Sequence, residues 1–365
     1  MGTRDAIDRT LENEDLPVPD KHDAARKLTG PGLKYALKRA VKKFSLDAGT
    51  DLSAILTYYM VLSLAPALLA IFSILSLVLA SNADTVRSMI DDVVTDAVPV
   101  DYQPLVLNLV ETMMDSTAGG IIALVIGIAT ALWSASGYVK AFSRNMNTIY
   151  GVAEGRGFVA QTLTMLAVTL TMLVGVVVVL VSLALNRTLV DSLFAPLVEP
   201  LGLQPTLTTL TESFLPVWEW VKYPVVLLII IGLIAVLYHF TPNVQRPRFR
   251  WLSIGAIFAL VGIALAGVAM IIYLTYFAGY SAYGMIGTIM ALLFVLWVFN
   301  IVLLMGAELD VEIERARELQ TGLPAEEDLQ LPPRGVAKVE KLKEGDDEIV
   351  AEGRNLRRAL HDPED

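Results

Sequence analysis

The chain of 365 residues has no cysteine, only three histidines, and long stretches without charge. Without cysteine there is no disulfide, no thiolate zinc cluster and no thiol chemistry. His22, His239 and His361 lie in different regions and lack the spacing of a metal-ligating pair, so neither metal nor other cofactor is expected. Asp, Glu, Lys and Arg are missing from 52–83, 116–139, 157–186, 223–245 and 251–307, runs of 32, 24, 30, 23 and 57 residues. About 20 apolar residues cross a hydrocarbon core of about 30 Å, so each of the first four suffices for one helix. The fifth is too long for a single crossing. Gly279, Ser281 and Gly284 break it into two. The same scarcity removes most chemistry, because a membrane hydrolase needs an Asp, Glu, His or Lys at its reacting centre. Only His239 qualifies by type, and beside Tyr238 and Pro242 it reads as an interfacial histidine. No enzyme is expected. A cleavable signal is not expected either, since the first apolar run begins behind a charged tail and is too long for a signal core.

What is present defines an all-α, polytopic membrane protein with six transmembrane helices and amphipathic helices on both faces. The expected spans are about 52–80, 118–139, 158–185, 223–241, 251–277 and 285–307. Twenty-five of the 28 Lys and Arg residues fall in the two tails and in the loops after spans two and four, leaving Arg87, Arg187 and Lys222 for the other side. Short basic loops stay cytoplasmic, so both termini are expected inside a cytoplasmic (inner) membrane. A nucleic-acid partner would call for a continuous basic face, and none is visible.

Residues 1–30 are polar and of mixed charge, and are expected to be a disordered cytoplasmic tail. From 31 to 48 a basic amphipathic helix is expected, with Leu33, Leu37, Val41 and Phe44 on one face and Lys34, Lys38, Arg39, Lys42 and Lys43 around them. Such a helix lies in the headgroup layer, and its expected partner is anionic lipid. Between the spans, 82–115 and 187–222 read as amphipathic caps on the outer face. The membrane domain extends over 31–320. Beyond it, 321–365 is expected to be a charged, largely disordered cytoplasmic tail, with a transient helix near 348–360.

Gly119, Ala123, Gly127, Ala131 and Ala135 form an unbroken i+4 row in span two, and Gly255, Ala259, Gly262 and Ala266 a second row in span five. Small residues at this spacing let helix backbones approach closely in lipid. Whether the rows meet within one chain or in a homo-oligomer is open at this stage. Pro66 lies near the middle of span one, where it frees the carbonyl of Leu62 and creates a hinge or a packing kink. Tyr59, Ser63, Ser136 and Asn300 are the polar groups that would line a cavity with it. Asn300 reads equally well as interhelical glue. Asn147, Pro242 and Glu308 are candidates for a cytoplasmic gate, and Glu308 alternatively for an ion pair with Arg144 or Arg246. The glycines at 151, 155 and 157 lack the Gly-Lys-Ser/Thr ending of a phosphate loop.

Five short motifs appear in order: Ser63-Leu64-Ala65-Pro66; Asn147-Thr148-Ile149-Tyr150; Leu237-Tyr238 with Pro242-Asn243; Tyr283-Gly284 with Gly287; and Leu304-Met305-Gly306-Ala307-Glu308-Leu309. Together they resemble the YihY/BrkB family of prokaryotic inner-membrane proteins, over about residues 35–320. The resemblance implies six spans and cytoplasmic termini. It also implies a role in the cell envelope, with branches associated with serum resistance and with lipopolysaccharide export. The old label of ribonuclease BN on some members fits this sequence poorly, since no soluble domain, metal cluster or basic cleft is legible. The uncharged spans point to transport or handling of a lipid-like or small uncharged or zwitterionic solute, because proton- and cation-coupled carriers usually place ionisable groups near the midplane. A non-transporting envelope scaffold is the alternative.

Overall fold

Residues 3–18, 28–78, 95, 103, 107, 120–185, 210–246, 249–276 and 284–361 are described by a computed structural model. Apart from one antiparallel bridge between Val244 and Pro333, their regular structure is helical. The helices are α1 (Thr3–Glu12), α2 (Gly30–Leu46), α3 (Gly49–Val78), α4 (Gly120–Tyr150) and α5 (Phe158–Ala184), then α6 (Leu215–Phe240), α7 (Ile254–Tyr276), α8 (Gly284–Gln320) and α9 (Ala337–His361). A single π turn, Leu210–Phe214, leads into α6. Four of these helices, α5 to α8, are long and apolar enough to cross a membrane. Leu228, Leu265 and Ile271 are each about two-thirds exposed, the expected state of lipid-facing side chains. The first two expected spans fall on α3 and α4, helices of 30 and 31 residues. Of the expected outer caps, 82–115 lies outside the described residues apart from 95, 103 and 107, and so does 187–209, whereas 210–222 forms the π turn and the first turns of α6, continuous with the expected fourth span. The break at 277–283 also lies outside them.

The chain divides into two compact units, one of 1–59, 138–168 and 234–365, the other of 60–137 and 169–233. The second consists of apolar helix segments. Within it Gly175 leaves space that Leu233 fills, and the indole of Trp218 donates to the Ser182 carbonyl. Ala131 and Ala135 are buried, as are Val226 and Leu173. Gly119 lies outside the described residues, and only the backbone of Ala123 and Gly127 is described.

The first unit holds most of the described charge and is built on α8. The α2 helix starts at Thr29, whose hydroxyl accepts from the Gly32 amide, with Pro31 in its first turn. Ala36 and Ala40 then pack against Leu309, Ile313 and Ala316 of α8. The sequence reading put Leu33, Leu37, Val41 and Phe44 on one apolar face. Here the buried row is Ala36, Ala40 and Phe44, and Leu37 and Val41 are exposed. Alanines win the contact because they let two helices approach more closely than leucines do. A tight corner follows at Ala48 (φ 52°), and Gly49 has no side chain to collide with the Phe44 ring. On the other side α7 packs on α8. A side chain at Gly255 would collide with the Gly306 carbonyl, and one at Gly262 with Val302.

Both tails depart from the expected disorder. The first contains α1, and the second α9 together with an extended strap over 323–336. Ile7, Leu329, Leu331 and Val339 are buried. The two tails hold one another: Arg9 pairs with Asp328 at 2.6 Å and Lys343 with Asp8 at 2.8 Å, and Asn13 donates to the Leu329 carbonyl. Opposite charges more than 300 residues apart in sequence supply what neither tail could bury alone.

Candidate functional site

The densest polar structure in the first unit is a clasp around Arg156. This residue follows α4 in the loop 151–157 and is 6% exposed. Its guanidinium donates from Nε and Nη2 to the two oxygens of Glu154, both at 2.7 Å. It also donates to the carbonyls of Thr241 (2.7 Å) and Phe240 (3.2 Å), capping α6, and to the Ser143 hydroxyl (3.2 Å). Such caps satisfy carbonyls that a helix end leaves free. Asn147 completes the ring, donating to Glu154 and accepting from the Asn243 amide at 2.7 Å. Asn243 in turn donates to the carbonyls of Ala153 and Gly335.

The C-terminal strap is sewn onto this clasp. Arg334 donates to the carbonyls of Val244 and His239, and the Gln245 amide to that of Pro332. Gly155 and Gly335 touch backbone to backbone, and a Cβ on Gly155 would not fit. Beside the clasp lies a cavity of about 310 Å³, lined by Ile7, Arg144, Asn147, Glu154, Lys338 and Leu342 among others. Arg246 hydrogen-bonds the Tyr150 hydroxyl and lies over its ring. Burial pushes that phenol up to about 12.

A second polar point joins three helices. Asn300 on α8 is fully buried. Its Oδ1 accepts from the Tyr138 hydroxyl on α4 at 2.9 Å, and its Nδ2 donates to Thr57 Oγ1 on α3 at 3.1 Å and to the Leu296 carbonyl. The carboxamide is thus satisfied on both sides.

Of the cavity candidates, Tyr59 and Asn300 belong to the first unit, and Ser63, Pro66 and Ser136 to the second. Tyr59 lies under the Arg144 guanidinium, 5.2 Å from the ring centroid. Ser63 and Pro66 are half-buried on α3, which continues through the proline. The buried Ser136 hydroxyl donates back to the Trp133 carbonyl. Among the gate candidates, Asn147 and the buried Pro242 come together at the clasp. Glu308 does not join them. It pairs with neither Arg144 nor Arg246, and faces Asp47, Glu312, Lys43 and Arg315 at the junction of α2 and α8. His239 packs edge-on between Phe240 and Phe249.

Sequence reasoning treated Arg156 only as a positive charge and did not single out Glu154, Ser143 or Thr241. The available signal was two amides, Asn147 in the segment after the charge-free run 116–139 and Asn243 near the end of 223–245, each needing partners on both sides.

Long apolar helices whose ionisable side chains lie at helix ends and in connecting segments define a helical membrane protein. Within that class, the family described as virulence factor BrkB matches residues 40–330, and the chain belongs to it. It is similar to a curated protein of Bacillus subtilis (strain 168) named putative ribonuclease-like protein YfkH. The two are 27% identical over 287 residues, which cover 78% of this chain and 96% of the relative. No solved structure matches. The family match ends before the strap residues Pro332 to Gly335.

Proposed function

We propose that this protein moves or handles a lipid-like or small uncharged or zwitterionic solute across a bacterial inner membrane, through six spans with both termini in the cytoplasm. The observation that carries the reading is the meeting of Asn300, Tyr138 and Thr57 from three apolar helices, with hydrogen-bonding groups and no charge. A path built from such groups suits cargo that needs no counter-ion. The exposed Lys34, Lys38 and Lys42 of α2, flanking Leu37 and Val41, would hold the inner leaflet's anionic lipid. Pro66 and Ser63 would supply the movable part.

A scaffold role has one observation in its favour: the Asn300 carboxamide is already satisfied, as glue would be. A ribonuclease reading, taken from the relative's name, has less. The guanidinium groups of Arg156, Arg315 and Arg334 are spent on carboxylates and carbonyls of the protein itself, which leaves them poorly placed to hold phosphates.

The discriminating experiment is complementation of a deletion strain under envelope stress by Asn300→Leu and Pro66→Ala, beside melting of each variant in detergent. Transport predicts lost complementation with melting nearly unchanged for Pro66→Ala. Full complementation by both variants removes the cavity reading and leaves the scaffold.

A further inference from the structure

Glu308 is the first charged residue after the charge-free run of α8, and its side chain is fully buried. Neither carboxyl oxygen has a hydrogen-bond partner. Asp47, at the end of α2, likewise has a buried Oδ2 without a partner. Three acceptor oxygens therefore lie enclosed with no donor.

The surrounding cations do not remedy this. Those facing Glu308 are Lys43 from α2 and Arg315 from α8 itself, against the like charges of Asp47 and Glu312. The described part of α7, also packed on α8, has no ionisable side chain before Tyr273. Lys43 is bound to Asp47 Oδ1 at 2.9 Å. Arg315 is bound to Glu312 at 3.1 Å and to the carbonyls of Ala325 and Glu327. Arg39 is held by Glu312 at 2.9 Å. Glu308 is the carboxyl left over when these cations have been assigned. A buried carboxylate without counter-charge or donor is far costlier than its neutral form.

We propose that Glu308 and Asp47 form a proton-binding site at the α2–α8 junction, in which Glu308 carries the proton and Asp47 Oδ2 accepts it. The proton comes from solvent: hydronium gives it to a Glu308 oxygen and a water molecule leaves. A metal ion suits the site less well. Calcium takes six to eight oxygen ligands and magnesium six, and among the described residues no group of three His, Asp or Glu side chains is placed to hold one. While protonated, the site is neutral and the junction packs dry. Loss of the proton leaves a charge that only water entering between α2 and α8 can solvate. The proton site stands on the burial and the missing partners of these carboxyl oxygens and not on transport, whereas its use as a gate rests on the transport reading above.

The test is infrared spectroscopy of the full-length protein in detergent at neutral pH, for the wild type, Glu308→Gln and Asp47→Asn. The expected result is a protonated-carboxyl C=O band in the wild type. It should shift in heavy water, vanish in Glu308→Gln and change frequency in Asp47→Asn. Glu308→Gln, a neutral mimic, should melt no lower than the wild type. If Glu308→Gln folds poorly, the frequency change in Asp47→Asn still decides the question. A wild-type spectrum without that band overturns the proposal, as does a band that neither substitution affects. Stabilisation of the wild type but not Glu308→Gln by sodium, calcium or magnesium chloride, with the band absent, would assign the site to a metal cation instead. Because this readout involves no transport, failure of the transport reading leaves it intact.

Discussion

Replacing Arg156 by methionine would keep the aliphatic bulk and remove five hydrogen bonds, two of them to Glu154. Removing one partner of a buried pair costs about 3–5 kcal/mol, most of it from the charge left behind. Glu154 would retain the Asn147 amide and the backbone N–H of residue 156, and the Thr241 carbonyl would retain the Ser143 hydroxyl. The loss should therefore lie near the lower end, about 3 kcal/mol. At about 2–4 °C per kcal/mol for a unit of this size, melting in detergent should fall by roughly 10 °C. Arg156→Lys keeps the charge but not the fork, and should lose about half as much. The double variant Arg156→Met/Glu154→Leu should recover most of the loss, because no lone charge then remains. The assay is thermal unfolding followed by circular dichroism, with size-exclusion recovery as a check. A drop of less than about 2 °C for Arg156→Met, or a double variant as weak as the sum of the singles, would show that the clasp does not hold the loop.

Gly255→Leu should disrupt the α7–α8 contact and lower detergent stability sharply, because the Gly306 backbone occupies the space. Val261→Leu, at a position 53% exposed, should be nearly silent, and equal melting of the two would put the wrong face of α7 inward. Reporters fused after Gly151 and after His361 should read as cytoplasmic and one after Asn186 as external. A cytoplasmic signal at Asn186 would end the six-span topology.

The apolar helices were legible in the sequence because lipid imposes one rule, that the backbone satisfies itself and side chains are apolar. The charge-free run 157–186 became α5 almost residue for residue, and 251–307 separated into α7 and α8. The reading erred where partners are remote in sequence. Arg9 and Asp8 look like disorder-promoting charges until Asp328 and Lys343 are placed beside them. The apolar pattern of α2 shows Leu37 and Val41, which are exposed, but not the second face, Ala36 and Ala40, that packs on α8, because a pair of alanines carries little hydrophobic signal. Asn300 was recognised as needing partners, yet nothing in the sequence picked Tyr138 and Thr57 from the other hydroxyls. Glu308 was assigned a choice of basic partners, but the nearby arginine, Arg315, is committed to Glu312 and the strap.

The central claim concerns movement of an uncharged or zwitterionic cargo, and reconstitution tests it most directly. Purified protein would be placed in liposomes containing a fluorescent zwitterionic phospholipid and a trapped zwitterionic solute. Inner-leaflet lipid would be followed by its accessibility to a membrane-impermeant quencher, and the solute by its release. The account predicts that one of the two moves faster than in protein-free vesicles, and that Asn300→Leu slows it. Identical rates with and without protein, for lipid and solute alike, would contradict the account.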